Sequence, residues 1–131
     1  MYLDANFLVF AAVGIGLQSE RARALARRVS SGEIDACTSA LALDEAMWVL
    51  RKNGQNALVR PVIEELYQMQ NLVITEVPAH IPLNALRFIE EHNLKPRDAF
   101  HAAIMEHFNI SEIATDDKDF DKIPGIKRIK I

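Results

Sequence analysis

Four short segments of the chain place a carboxylate beside an apolar run, and carboxylates are the side chains that bind hard divalent cations. The segments are Tyr2-Leu3-Asp4, Leu43-Asp44-Glu45, Pro96-Arg97-Asp98 and Thr115-Asp116-Asp117. Acids are rarely buried unless a cation or hydrogen bonds compensate their charge. If the fold gathers these acids, they form an oxygen-ligand pocket for a divalent cation, and such a pocket supports phosphodiester hydrolysis.

Glu45 is the most informative of these acids. Its neighbours one helical turn away in either direction are all apolar: Leu41, Ala42, Trp48 and Val49. Asp44 has similar neighbours, and one of the two acids can reach the surface near the start of the helix. A buried carboxylate needs a cation, and both a metal ion and a distant arginine are open alternatives at this stage.

The other acids also have ordinary structural explanations. Asp4 precedes a predicted helix and could be its N-cap. Asp98 lies in the first turn of a helix that starts at Pro96, where the helix dipole stabilises an acid. The acids of residues 116–119 could form an exposed turn. However, three of the acid groups are predicted at strand-to-helix transitions of one sheet, where ligands of open α/β sheets bind.

A zinc site is disfavoured, because the chain has no HExxH motif and no Cys/His ligand spacing. His101, one turn after Asp98, is interpreted as a satisfied polar contact rather than as a ligand.

The hydrophobic pattern predicts alternating strands and helices. Strands are expected at residues 2–3, 34–38, 72–77, 112–115 and 126–131, and helices at 6–12, 18–30, 40–52, 56–69, 83–92 and 96–108. Strands that alternate with single helices or helix pairs predict a three-layer α/β/α fold with a central, mainly parallel sheet of four to five short strands. We expect residues 1–131 to form a single domain.

Composition limits the class of protein without deciding its function. Cys37 is the only cysteine, which excludes an intramolecular disulfide, and no basic segment precedes the first apolar stretch as in a signal peptide. These features favour a cytoplasmic protein. The formal net charge of −3 does not exclude a nucleic-acid partner, because acids in a metal site would account for it and bases cluster at residues 21–28, 51–52 and 127–130.

Taken together, these segments resemble the PIN-domain ribonucleases, and specifically the VapC toxins of prokaryotic toxin–antitoxin pairs. The matching segments span nearly the whole chain: 3–8, Thr38-Ser39, Leu43-Asp44-Glu45, 94–103 and 113–120. The resemblance implies a PIN-like fold and an endoribonuclease that hydrolyses RNA phosphodiester bonds with a metal-activated water. It also implies a small VapB-like antitoxin as partner and a homodimer.

The resemblance further implies which residues form the site. It assigns the binding of Mg²⁺ or Mn²⁺ to four acids, namely Asp4, Glu45, Asp98 and Asp117. It prefers Glu45 over Asp44, and Asp117 over Asp116, although Asp116 could serve instead and Asp119 could assist. Asn6 and Thr115 match positions that support the site through hydrogen bonds.

Two other functions compete with the nuclease. The first is a catalytically silent PIN-fold module that binds RNA or regulates another protein. The second is a phosphoryl-transfer domain of the receiver or haloacid-dehalogenase type, which also uses aspartates at strand ends. The second is disfavoured, because Asp4-Ala5-Asn6 supplies neither a paired acid nor an Asp-x-Asp sequence at the first strand.

Overall fold

Five parallel strands form the central sheet, and the shortest of them lies in its middle. The computed structural model describes residues 1–131, and its strands pair in the order β3-β2-β1-β4-β5. The strands are β1 (Tyr2–Leu3), β2 (Ala36–Ser39), β3 (Leu72–Thr75), β4 (Glu112–Ala114) and β5 (Lys127–Ile129). Because every pair is parallel, all five carboxyl ends meet at one edge of the sheet.

Six α-helices and one short 3₁₀ helix connect the strands. The α-helices are α1 (Ala5–Val13), α2 (Leu17–Ser30), α3 (Ala40–Lys52), α4 (Asn56–Gln68), α5 (Ile81–His92) and α6 (Pro96–His107), and the 3₁₀ helix is Lys118–Lys122. None of the helices is long and apolar enough to cross a membrane.

Polar side chains at strand ends start the helices that carry the candidate acids. Asp4 accepts a hydrogen bond of 2.8 Å from the Phe7 amide, which caps α1 directly after β1. Ser39 accepts one of 3.2 Å from the Ala42 amide and so caps α3 at the end of β2. Pro96 occupies the first turn of α6, where its fixed φ suits a helix start. Asp4 and Glu45 follow these strand ends within six residues, as Asp117 does after β4.

The core has two parts, one on each face of the sheet. Tyr2 and Ile113 pack with the apolar sides of α5 and α6. Leu3 and Ala114, the next residue of each strand, pack with α1, α2 and α3 on the opposite face. Adjacent strand residues point to opposite faces, so a central strand of two residues anchors both parts of the core. This arrangement confirms the predicted three-layer α/β/α fold.

The predicted elements all occur, with differences at their ends. The second strand begins at Ala36 and includes Ser39, and the third ends at Thr75, where the β-branched pattern continued to Val77. The last strand is limited to Lys127–Ile129, the residues that pair with β4. The 3₁₀ helix was not predicted, because the acids of residues 116–119 indicated only a turn.

Candidate functional site

Three acids lie close together beyond the carboxyl ends of the strands. Asp98, in the first turn of α6, and Asp117 and Asp119, which follow β4, each place one carboxylate oxygen within 4.8 Å of the other two. All three residues are half-buried. Such a group of oxygen donors is the kind that a hard divalent cation binds.

Asp98 has a buried carboxylate oxygen that no other group of the protein satisfies. Its Oδ2 atom is buried and has no hydrogen-bond partner. Burial, and then repulsion by Asp117, raise the pKa of the Asp98 carboxyl above its usual value. Lys95 and His101 oppose that rise but do not cancel it. An orphaned, buried carboxylate oxygen among other acids fits a position where a cation would be bound.

The loop after β4 is folded so that its acids take different roles. The Asp117 amide donates to Thr115 Oγ1 at 3.0 Å, and Asp117 Oδ1 accepts from the Asp119 amide at 2.9 Å. Asp119 is also paired with Lys122 at 2.7 Å and lies 3.7 Å from Lys95.

Asp116 lies outside this three-acid group. It lies near Arg128, whose guanidinium donates two hydrogen bonds of 2.8 Å to Asp121. Asp117 also raises the pKa of Arg128, so Arg128 lies near both acids, and only membership of the three-acid group separates Asp117 from Asp116.

Asp4 is almost fully buried at the end of β1, with 5% of its surface exposed. Burial raises the pKa of Asp4 to about 6, although hydrogen bonds from the Phe7 amide and the Thr115 hydroxyl act in the opposite direction. His101 also lowers this pKa and Glu45 raises it, which places both side chains in the electrostatic surroundings of Asp4.

The structure separates the two neighbouring acids of α3. Asp44 is exposed, whereas only 12% of the Glu45 side-chain surface is exposed. Glu45 Oε2 lies 3.1 Å from His101 Nε2, and Oε1 lies 3.7 Å from Arg97 Nε, too far for a hydrogen bond. Oε1 is buried and has no hydrogen-bond partner. The structure is therefore compatible with both explanations of Glu45, an arginine and a metal ion. Arg97, which is distant in the sequence, lies near the carboxylate, and Oε1 has no hydrogen-bond partner.

A chain of hydrogen bonds fixes His101 against Glu45. Ser39 Oγ accepts from the Ala42 amide and lies 2.6 Å from the Tyr2 hydroxyl, which lies 2.8 Å from His101 Nδ1. Burial raises the pKa of Tyr2, so its hydroxyl keeps its proton. Because a carboxylate only accepts hydrogen bonds, His101 Nε2–H donates to Glu45 Oε2, and the Tyr2 hydroxyl bridges His101 Nδ1 and Ser39 Oγ. His101 is thus a satisfied polar contact, as expected.

The four predicted ligands all lie near the carboxyl edge of the sheet, but in two groups. Asp98 and Asp117 belong to the three-acid group, and Asp4 and Glu45 lie outside it. His101 is common to the surroundings of both groups, since it affects the pKa of Asp4 and of Asp98. The assignment of these acids as metal ligands stays a prediction.

The two predicted supporting residues differ in their surroundings. Thr115 is fully buried and hydrogen-bonds the Asp117 amide, whereas Asn6 is exposed on the first turn of α1.

Sequence reasoning did not find the basic residues beside the acids. Arg97 adjoins Asp98 in the sequence and lies near Glu45 in space, and Lys95 lies near Asp119. Arg97 and Lys95 precede Asp98 by one and three positions, and this position was the only sign of them in the sequence. Their acidic partners, Glu45 and Asp119, belong to other elements. Both basic side chains are largely exposed.

A cavity of the fold lies away from these acids. It has a volume of about 780 Å³, is lined by α1, α2 and α4, and contains none of the predicted ligands. Its lining is mainly apolar and includes Phe7, Leu8, Val62 and Leu66.

Comparison with known proteins gives one family and several similar structures. The family model described as PIN domain matches residues 1–126. A segment of 36 residues is 47% identical to Ribonuclease VapC13 of Mycobacterium tuberculosis, but it covers only 28% of each chain.

Two solved structures share the fold at low sequence identity. VapBC2 from Rickettsia felis, solved bound to a DNA fragment from its promoter, matches with a TM-score of 0.71 and 16% identity over 98% of this chain and 96% of that one. VapC20 of M. tuberculosis, described as a toxin that cleaves the sarcin-ricin loop, has a TM-score of 0.69 and 15% identity over 86% and 85%.

Proposed function

This chain belongs to the PIN domain family, and on that premise we propose that it is a Mg²⁺- or Mn²⁺-dependent endoribonuclease of the VapC type. It would hydrolyse RNA phosphodiester bonds as the toxin of a toxin–antitoxin pair. The local identity to a protein named as a VapC ribonuclease supports this proposal. So does the set of acids at the carboxyl edge of the sheet.

The convergence of the acids is the observation that supports the proposal most strongly. Asp98, Asp117 and Asp119 converge within 4.8 Å, and buried oxygens of Asp98 and Glu45 lack partners. Leaving such atoms unpaired in an apolar setting is costly, whereas a divalent cation would satisfy them. A fold without catalysis has no need to retain this arrangement.

The residues present fit a divalent cation. Asp98 and Asp117 would hold it, with Asp119 nearby and with Glu45 and Asp4 completing the acidic edge. All of these donors are carboxylate oxygens, which Mg²⁺ and Mn²⁺ prefer. The chemistry that such an ion supplies when bound is acidification of a water and neutralisation of charge at the scissile phosphate.

The remaining residues of the edge would bind and orient the RNA. Arg97 and Lys95 have exposed side chains beside the acids, so they can contact the phosphates that flank the scissile bond. His101 holds the Glu45 carboxylate in one orientation through its Nε2–H. Asp4 keeps its place through the Phe7 amide, which fixes the acid at the end of β1.

We also propose an antitoxin partner and a homodimer. Both α4 and α5 expose large apolar residues, namely Leu58, Leu83 and Leu86. Exposed apolar side chains of this kind suit a protein interface. Light scattering of the purified protein tests the dimer, and a monomer at micromolar concentration would contradict it.

RNA cleavage by matched variants tests the enzymatic proposal. The wild type and Asp98→Asn are incubated with cellular RNA and Mg²⁺, with and without EDTA. Asp44→Asn is the control, because Asp44 is an exposed acid next to Glu45. We expect the wild type and Asp44→Asn to cut RNA and leave 5′-phosphate and 3′-hydroxyl ends, and Asp98→Asn or EDTA to abolish cutting. Equal activity of Asp98→Asn, or cutting that EDTA leaves intact, would contradict the metal mechanism.

The same experiment addresses the silent module. RNA that the wild type binds but never cuts, in either Mg²⁺ or Mn²⁺, would favour a PIN-fold binding or regulatory module. In that case no variant, including Asp44→Asn, yields cleavage products with 5′-phosphate and 3′-hydroxyl ends.

A further inference from the structure

Trp48 is a large aromatic side chain left at the surface beside the acidic edge. It lies on α3 one helical turn after Glu45, and 49% of its surface is exposed. It is also the only tryptophan of the chain. A half-exposed indole close to a candidate catalytic acid needs a reason, because core packing does not require it.

Two cations lie against this indole. Lys52 Nζ is 4.6 Å from the ring centroid, and Arg97 Cζ is 5.6 Å from it. The same Arg97 guanidinium reaches to 3.7 Å from Glu45 Oε1. Arg97 therefore spans the distance between the acidic edge and the aromatic ring, which makes one continuous surface of acid, cation and indole.

We infer that Trp48, Lys52 and Arg97 form a subsite for one unstacked base of single-stranded RNA next to the scissile phosphate. The inference rests on the proposed ribonuclease function and adds a binding position to it. The base stacks on the indole. Lys52 and Arg97 leave the ring and bind the phosphates on either side of that base. Stacking of bases on aromatic rings together with cations along the backbone is how proteins bind single strands.

The surroundings of Trp48 favour RNA over a protein partner. Its neighbours on the outer side of α3 are Asp44, Arg51 and Lys52, which are all exposed and charged. Protein interfaces place an aromatic residue inside a larger patch from which charges are depleted. A single ring among exposed cations instead matches a nucleotide, which offers one flat apolar surface between two negative charges.

The tryptophan itself reports on the subsite, since no other indole contributes to the fluorescence. Binding is measured in the Asp98→Asn background with Mg²⁺, so that the RNA stays intact. The ligand is a 12-nucleotide oligoadenylate with a dye label, whose anisotropy gives the affinity of the variants that lack the indole. Inorganic polyphosphate is the matched polyanion without bases. The variants are Trp48→Leu, Trp48→Phe and, as control, Tyr67→Leu. Tyr67 is a 66% exposed aromatic near the end of α4, which leads to the opposite edge of the sheet.

We expect oligoadenylate to quench the Trp48 fluorescence and polyphosphate to leave it unchanged. Trp48→Leu should weaken oligoadenylate binding about 5- to 100-fold, the usual effect of removing one stacked base contact. Trp48→Phe, which keeps a ring, should retain most of the affinity, and Tyr67→Leu should bind like the parent protein. Thermal unfolding of each variant identifies any that is misfolded, and Trp48→Phe keeps the test valid if Trp48→Leu unfolds.

Unchanged oligoadenylate binding by Trp48→Leu would overturn the subsite. If the protein with Asp98 intact still cuts RNA in that case, the subsite alone fails and the ribonuclease proposal stands. If oligoadenylate is not bound and the protein with Asp98 intact does not cut cellular RNA either, both fail. A changed molar mass in light scattering with unaltered RNA binding would identify Trp48 as a protein contact, which also overturns the inference.

Discussion

Glu45 Oε2 and His101 Nε2 lie 3.1 Å apart, although the two residues are 56 positions apart in the sequence. This contact joins α3 to α6 across the carboxyl edge of the sheet. Because Tyr2 occupies the other ring nitrogen of His101, the imidazole can donate to Glu45 in one orientation only. The Glu45 carboxylate is therefore held with Oε2 paired and Oε1 left for another partner.

Replacement of His101 by phenylalanine should destabilise the protein. His101→Phe keeps the ring but leaves Glu45 Oε2 and the Tyr2 hydroxyl without this partner, and each buried unpaired group costs about 1–3 kcal/mol. We expect the free energy of unfolding in urea to fall by about 2–4 kcal/mol. The control is His107→Phe, because His107 is exposed; its effect should stay below about 0.5 kcal/mol. Equal stability of the two variants would refute the role given to His101.

The two neighbouring acids of α3 should respond differently to metal. If Glu45 contributes to a cation site, millimolar Mn²⁺ should raise the melting temperature of the wild type, since binding to the folded state stabilises it. Glu45→Gln should reduce that rise, and Asp44→Asn should keep it because Asp44 faces solvent. Differential scanning fluorimetry measures both. A wild-type protein that does not respond to Mn²⁺ would count against the site as a whole.

Asp116 and Asp117 provide a second matched pair. Asp117 belongs to the acidic group with Asp98, whereas Asp116 lies outside that group, although both acids lie near Arg128. Asp117→Asn should therefore abolish the stabilisation by Mn²⁺ and RNA cleavage, and Asp116→Asn should leave both nearly intact. Asparagine can still accept the Asp119 amide, so the loop should keep its fold. The reverse order of effects would make Asp116 the ligand.

Asp4 predicts a dependence of stability on pH in metal-free protein. Burial raises the pKa of Asp4 to about 6 from its ordinary value of 3.8, so the folded state holds the proton more tightly than the unfolded state. The stability from this group is fully present below about pH 4 and is lost as the pH rises through about 6. Asp4→Asn keeps an acceptor for the Phe7 amide but removes the titration.

Unfolding in urea with EDTA at several pH values checks this expectation. Relative to Asp4→Asn, the wild type should lose on the order of 3 kcal/mol between about pH 4 and pH 7. The comparison cancels the other acids, such as Asp119 and Asp121, whose pKa values are lowered by lysine and arginine partners. Parallel stability profiles of the two proteins would show that Asp4 titrates normally.

The fold could be predicted from the sequence because its signals are local. Apolar spacing predicted the helices, and Asp4 and Pro96 indicated two helix starts. The order of the strands had no such signal, since pairing of β1 with β4 joins residues more than a hundred positions apart. The ends of β2 and β3 also depended on pairing with neighbours, which a single strand does not encode.

The site was predictable in its acids but not in its partners. Glu45 was conspicuous because the sequence around it is apolar, yet Trp48 proved half-exposed, so that helix is not buried on all sides. Arg97 and His101 act on Glu45 from another helix, and only the fold brings them there. Long-range contacts of this kind depend on how helices pack, and a single sequence does not specify them.

The central position of β1 has a consequence for synthesis of the protein. Tyr2 and Leu3 are made more than a hundred residues before Ile113 and Ala114, with which they pair. A nascent chain therefore cannot bring Asp4 and Asp117 to the same sheet edge until the segment that contains β4 has emerged from the ribosome. The acidic edge forms only after that segment has been made.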